Sequence, residues 1–220
     1  MNWIAMFTPE AVPMPPSLPS PSLQAWALDV SWAVILAATA IWLLSCLPTR
    51  RAHQWMAASM LSVACLLPSP WSPSYWLGLA FQFPSVSSCL LAAWYVSRRL
   101  FRPEANRFKP TEKSLVLWLV LVGVGLGWLL MLDTFALLPG SLYAWGFHPI
   151  APAAVLLVTL LPWIFFGRSG FDSLLHGGLI LVLLTHVIWR LPNGNAWSAL
   201  MDPWLWLSLH FLLIRLARKK

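Results

Sequence analysis

Acidic residues are scarce. The chain has 220 residues, seven Asp and Glu against fourteen Lys and Arg, and only 10% of it is charged. An ordinary soluble domain has about 25% charged residues. A further 59% of the chain is hydrophobic, and the mean hydropathy is +0.71. A soluble domain of this size has too much surface for its volume to hide that much apolar area. A soluble enzyme and a disordered protein are therefore excluded.

Cysteine is equally scarce. Cys46, Cys65 and Cys89 are the three present. They are odd in number, form no CxxC pair and lie in apolar segments, so neither a disulfide framework nor a metal site is expected. The four lysines (Lys109, Lys113, Lys219 and Lys220) all fall outside the apolar runs, which excludes a retinal Schiff base. GxSxG, HExxH, a Walker loop and paired acidic motifs are absent, so none of those enzyme classes is indicated. Residues 1–28 contain no Lys or Arg. Without a positive n-region, no cleaved signal peptide is expected.

What the chain does have is apolar runs. A bilayer core takes about 20 apolar helical residues. Seven segments fit: 29–48, 53–69, 75–96, 114–132, 149–167, 173–189 and 197–216. The expected fold class is all-α, a polytopic integral membrane helix bundle of seven transmembrane helices. It follows a Pro-rich extracytoplasmic tail (1–28), occupies 29–216 as one domain, and ends in a basic cytoplasmic tail (217–220).

Charge supports that count. With alternate loops on opposite sides, thirteen of the fourteen basic residues share one side and only Arg190 lies on the other. The positive-inside rule makes that side cytoplasmic, with the N-terminus out and the C-terminus in. A six-span variant, with the second or seventh segment not crossing, breaks this alternation. The short loops and clean bias point to a bacterial cytoplasmic (inner) membrane. The net charge of +7 then reflects topology, and no nucleic-acid partner is expected.

The chain is tryptophan-rich, with 16 Trp. Many map to span ends, including Trp26, Trp32, Trp76, Trp128, Trp197, Trp204 and Trp206, where an interfacial belt is expected. Prolines 9, 13, 15, 16, 19 and 21 predict an extended lead-in. Gly123 and Gly127 stand four apart, a small-residue face for close helix packing and a potential contact with other membrane subunits. The stretch 97–113 is basic, with Leu100, Phe101 and Phe108 interleaved; it suits an anionic lipid or a cytoplasmic partner.

Polar groups within spans are the functional candidates. Asp29, Asp133 and Asp202 fall near the outer ends of spans. At 1.5 Å rise per residue, His176 and His210 come out at one depth and His148 and His186 at another. Two histidines from different helices at one depth would suit a b-type haem; interhelical hydrogen bonding is the alternative role. Gln82, Ser85 and Ser88 beside Pro84 form the most polar patch of any span and are a candidate ligand site. Three functions are compatible with this pattern. The leading one is a non-catalytic subunit or assembly partner of a larger membrane complex. The others are a haem- or quinone-binding redox protein, and a carrier for a neutral or apolar small molecule.

Overall fold

A computed structural model describes residues 18–101, 112–166 and 173–218. The first part of the Pro-rich tail, most of the basic 97–113 stretch and Arg168 lie outside those residues. Every regular element described is a helix.

Helix α1 (Pro21–Ser45) begins eight residues before the expected span. Ser20 is its N-cap and accepts from the Leu23 amide at 3.3 Å. Pro21 occupies the first helical position, where its missing N–H costs no hydrogen bond. The proline run is therefore not extended throughout: its last member starts a helix. Helix α2 (Arg51–Cys65) returns, and the two pack along their length through Ala37, Ile41 and Ala58.

The third expected span, 75–96, is not one helix. It divides into α3 (Pro73–Phe81) and α4 (Val86–Phe101). Pro84 is the physical cause: it has no N–H to donate, and it pushes the preceding residue out of helical geometry. The first turn of α3 is bonded to Asp29 through Ser74, and Phe81 at its end meets Trp32. Asp29 and Trp32 are about one turn apart on α1, yet α3 is nine residues long. Helix α3 therefore leans across α1 instead of running beside it.

Helix α5 (Glu112–Thr134) matches its expected span. A short α6 (Leu142–Trp145) precedes α7 (Ala151–Phe166), and α8 (Ser173–Trp189) matches the sixth expected span. The seventh span, 197–216, is also divided. It forms α9 (Ala196–Leu200) and α10 (Pro203–Ala217), separated by Met201 and Asp202. Asp202 is the N-cap of α10 and Pro203 its first residue, so a new helix starts where a continuous one was expected.

Two helices, Pro21–Ser45 and Val116–Thr134, are each long and apolar enough to cross a membrane. Ala151–Leu161, His176–Trp189 and Pro203–Ala217 are apolar but shorter. Much of the surface is apolar, including Trp71, Leu79, Leu157, Ile188 and Phe211.

Packing links the helices in a chain. Helix α1 holds α2 and α4, α4 holds α8 and α9, α8 holds α7, and α10 lies along α5. The α5–α10 seam is a glycine notch. A Cβ at Gly127 would stand 2.1 Å from Trp206 Cδ1, and one at Gly123 would stand 2.6 Å from Leu209 Cδ1. The Gly123/Gly127 face is thus filled by α10 of the same chain, where the sequence had offered it to another subunit. Indoles also depart from a simple belt. Trp32 and Trp197 are buried, and Trp206 Nε1 donates to the Val124 carbonyl of α5 at 3.2 Å.

Candidate functional site

The two helix breaks meet. Asp202, in the gap between α9 and α10, is 8% exposed. Its Oδ2 accepts from the Ser85 amide at 2.8 Å, the Ser85 hydroxyl at 2.8 Å and the Ser88 hydroxyl at 2.5 Å. Its Oδ1 accepts from the Leu205 amide at 2.7 Å. Ser85 lies just before α4 and Leu205 is in the first turn of α10. One carboxyl group therefore serves the N-termini of two helices, both of which have amide groups without intrahelical partners and a partial positive charge. Ser85 Oγ in turn accepts from the Ser88 amide at 3.1 Å, which fixes the first turn of α4. Ser87 extends the contact, its hydroxyl donating to the Ala199 carbonyl of α9 at 3.4 Å.

Of the sequence-predicted ligand patch, Ser85 and Ser88 are brought together on Asp202, and Gln82 is not. Gln82 caps α3 with φ 62° and ψ −148°. That region is close to one occupied almost exclusively by glycine, and holding another residue there costs about 1–3 kcal/mol. Its amide N donates to the Gly78 carbonyl at 2.9 Å, while its side chain is exposed and makes no hydrogen bond to the described residues. Phe81 beside it meets Trp204 of α10 edge-on at 5.1 Å. The break is thus polar at Asp202, aromatic on one flank and open at Gln82.

A second acid joint stands nearby. Asp29 accepts from the Ser74 hydroxyl, and Ser74 and Ser72 are 2.6 Å apart. Ser72 also donates to the Cys65 carbonyl at 2.7 Å. This ties α1, the end of α2 and the start of α3 together. Asp133 is a cap as well, its two oxygens accepting from the Leu142 and Tyr143 amides at 3.1 and 2.7 Å.

His148, His186 and His210 each bond to groups other than histidine. His186 is 1% exposed, and its Nδ1 donates to the Leu191 carbonyl at 3.2 Å, closing the turn after α8. His210 Nδ1 donates to the Trp206 carbonyl at 2.9 Å, and its Nε2 accepts from Trp128 Nε1 at 3.1 Å. His148 Nδ1 accepts from the Ile150 amide at 3.3 Å. His176 is buried on α8. With both ring nitrogens of His210 engaged, iron ligation there would break an interhelical bond. Among the described residues no group of three or more His, Cys, Asp or Glu is arranged to hold a metal ion.

Sequence reasoning missed two elements of the architecture. Asp202 was seen only as an outer-end acid, not as the acceptor of the serine patch 117 residues away. Its signal was legible: Asp followed by Pro is a helix-start signature. The other is Asn195, which is fully buried. Its Nδ2 donates to the Tyr143 carbonyl at 2.8 Å and its Oδ1 accepts from the Trp197 amide at 2.9 Å. Trp197 stacks on Trp145 and donates to the Leu142 carbonyl at 2.8 Å. Together these bonds lock α6 and α9 into a cap over that end of the bundle.

Comparison with known proteins gives no matching family model, no matching curated protein and no matching solved structure. The site is read from its own chemistry.

Proposed function

We propose that this chain is a seven-pass protein of a bacterial cytoplasmic membrane, N-terminus out and C-terminus in, acting as a non-catalytic subunit or assembly partner of a larger membrane complex. In this reading α3 with α4, and α9 with α10, each make one interrupted crossing. The charge bias supports it: thirteen of fourteen basic residues take one side.

One observation favours a protein partner, the exposed break at Gln82. Ser85 and Asp202 each stand thirteen residues before an arginine, Arg98 on α4 and Arg215 on α10. Thirteen residues of helix span about 20 Å. With the arginines at the inner boundary, the breaks fall inside a hydrocarbon layer about 30 Å thick. Lipid-exposed irregular backbone is not tolerated at that depth; it is found only where protein buries it or water lines it. Gln82 combines exposure with a side-chain amide that makes no hydrogen bond to the described residues. A partner helix that accepts from or donates to this amide would bond the side chain and cover the exposed break.

The test is co-purification from native membranes. Wild-type protein is expected to retain a partner that the Gln82→Gly variant loses. Glycine adopts the observed backbone without strain, so that variant should fold at least as well. Equal recovery of the same proteins with both variants would contradict the role given to Gln82.

A second reading, a carrier for a neutral small molecule, is favoured by a different observation. Helices α4 and α10 share the Asp202 joint at their N-termini but pack on different neighbours further along, α4 on α1 and α8, α10 on α5. Interrupted helices meeting at a membrane-embedded polar point are a common design of transporter binding sites. Vesicle uptake that is lost in Ser88→Ala would support it, and uptake identical in wild type and Ser88→Ala would count against it.

A further inference from the structure

We infer that the joint between α1, α2 and α3 is a binding site for a small monovalent cation, with sodium as the best fit. Four kinds of oxygen meet there: the Asp29 carboxylate, the Ser72 and Ser74 hydroxyls and the Cys65 carbonyl. Ser74 Oγ lies within hydrogen-bond reach of Asp29 and 3.0 Å from the Cys65 carbonyl. Ser72 Oγ stands 2.7 Å from the same carbonyl and 2.6 Å from Ser74 Oγ. These are four oxygen–oxygen contacts, and each of the two hydroxyls brings a single hydrogen. Two contacts therefore set lone pairs against lone pairs, whichever way the hydroxyls turn. The Ser74 amide does not relieve this, because it donates to Ser72 Oγ at 3.1 Å. A positive charge among the oxygens turns the repulsion into attraction.

The helices that form the joint supply no such charge. Residues 1–97 hold three basic side chains, Arg50, Arg51 and His53. All three are at the start of α2, and Cys65 is its last residue. The rise along the helix from Arg51 to Cys65 is about 21 Å. Helix α4 also packs on α1, but its arginines are in its last turn, beyond the level where Tyr95 meets Ala37 and Ile41. The two helix ends offset each other, since α2 presents its negative end at Cys65 and α3 its positive end at Ser72. The charge of the Asp29 carboxylate is what remains.

The ligand set selects the ion. Carboxylate, carbonyl and hydroxyl oxygens suit hard cations. A single carboxylate balances a single positive charge, whereas a divalent ion calls for a second acid that the joint does not contain. Carbonyls at helix C-terminal ends are recurring sodium ligands in membrane proteins. Ser72, Ser74 and Cys65 are at most 2% exposed, so they shield a bound ion from water. Asp29 is half-buried and opens the way in. The two serine side chains part by rotation to admit the ion. Held there, it clamps the start of α3 to α1 and to the end of α2. The inference does not depend on a partner at Gln82.

The test uses the full chain in detergent, with sodium chloride exchanged for choline chloride at fixed ionic strength. Radioactive sodium should bind saturably, one ion per chain, and the thermal midpoint should rise with sodium and not with choline. Asp29→Asn keeps an acceptor for Ser74 but removes the charge, and both responses should be lost. Ser72→Ala should weaken sodium binding about tenfold or more, the loss that follows removal of even an outer partner of a bound metal. Asp133→Asn changes an acid outside the joint and should bind sodium as the wild type does. Absence of saturable binding to folded wild-type protein would overturn the site, and equal binding in Asp29→Asn would overturn its location. A midpoint that rises on acidification and ignores sodium would overturn the cation, because a proton would then supply the charge. Saturation by calcium in preference to sodium would overturn the monovalent assignment. Should Asp29→Asn not fold, Ser72→Ala carries the test.

Discussion

Asp202 and Asp29 are both met by serines, yet they are not equivalent. Asp202 is buried, lies in a helix break and takes four hydrogen bonds, two of them from backbone amides at helix starts. Asp29 is half-buried, lies within a continuous helix and takes one, from the hydroxyl of Ser74. The first acid substitutes for missing backbone structure; the second adds a contact to structure already complete. The cost of placing an acid among apolar helices is therefore offset in different ways. At Asp202 the alternative is two bare helix ends, and at Asp29 it is a looser α3.

That difference sets the order of mutational effects. Asp202→Ala should be the most damaging. It strands the Ser85 and Leu205 amides and two hydroxyls in a buried site, where each unmet group costs about 1–3 kcal/mol. Thermal unfolding in detergent should show either a large drop in midpoint or no recoverable folded protein. Asp202→Asn keeps one acceptor oxygen and should be intermediate.

Gly127→Ala asks whether α10 is held by the joint alone or also by its seam with α5. A Cβ there meets the Trp206 ring at 2.1 Å, and overpacking of this kind costs about 1–3 kcal/mol. The double variant Gly127→Ala/Trp206→Leu should recover part of that loss, and the absence of recovery would point away from the notch. Ser88→Ala removes one of four donors to Asp202 and should cost about 1 kcal/mol. Asp29→Ala should cost about the same or less, since only a partly exposed hydroxyl bond is lost. A midpoint drop for Asp29→Ala as large as that for Asp202→Ala would dissolve the contrast between the two joints.

Local chemistry was legible in the sequence; pairing was not. The apolar runs at 114–132 and 173–189 became α5 and α8 because nothing in them interrupts a helix. Pro84 and Pro203 each fall inside a single expected span. Their neighbours decide otherwise. Ser20-Pro21, Ser72-Pro73 and Asp202-Pro203 each place a capping side chain just before a proline, and each begins a helix. Within an apolar run the same pair marks a restart. The patch at Gln82, Ser85 and Ser88 stood out because it interrupts an apolar run. Its acceptor did not, because no periodicity relates Ser85 to Asp202. The Gly123/Gly127 notch likewise declared that something packs closely, without declaring that the something is Trp206 and Leu209 of the same chain. Three of the histidines expected to match in depth, His148, His186 and His210, have carbonyls, a backbone amide and an indole as partners, which expected depth alone does not distinguish.

The most direct measurement is photo-crosslinking in native membranes from a benzoylphenylalanine placed at position 82. A partner helix over the exposed break should give a protein adduct of discrete mass, and the same probe at the exposed Phe211 of α10 should not. Adducts to lipid alone at position 82, with the chain folded and inserted, would contradict a protein partner at this break.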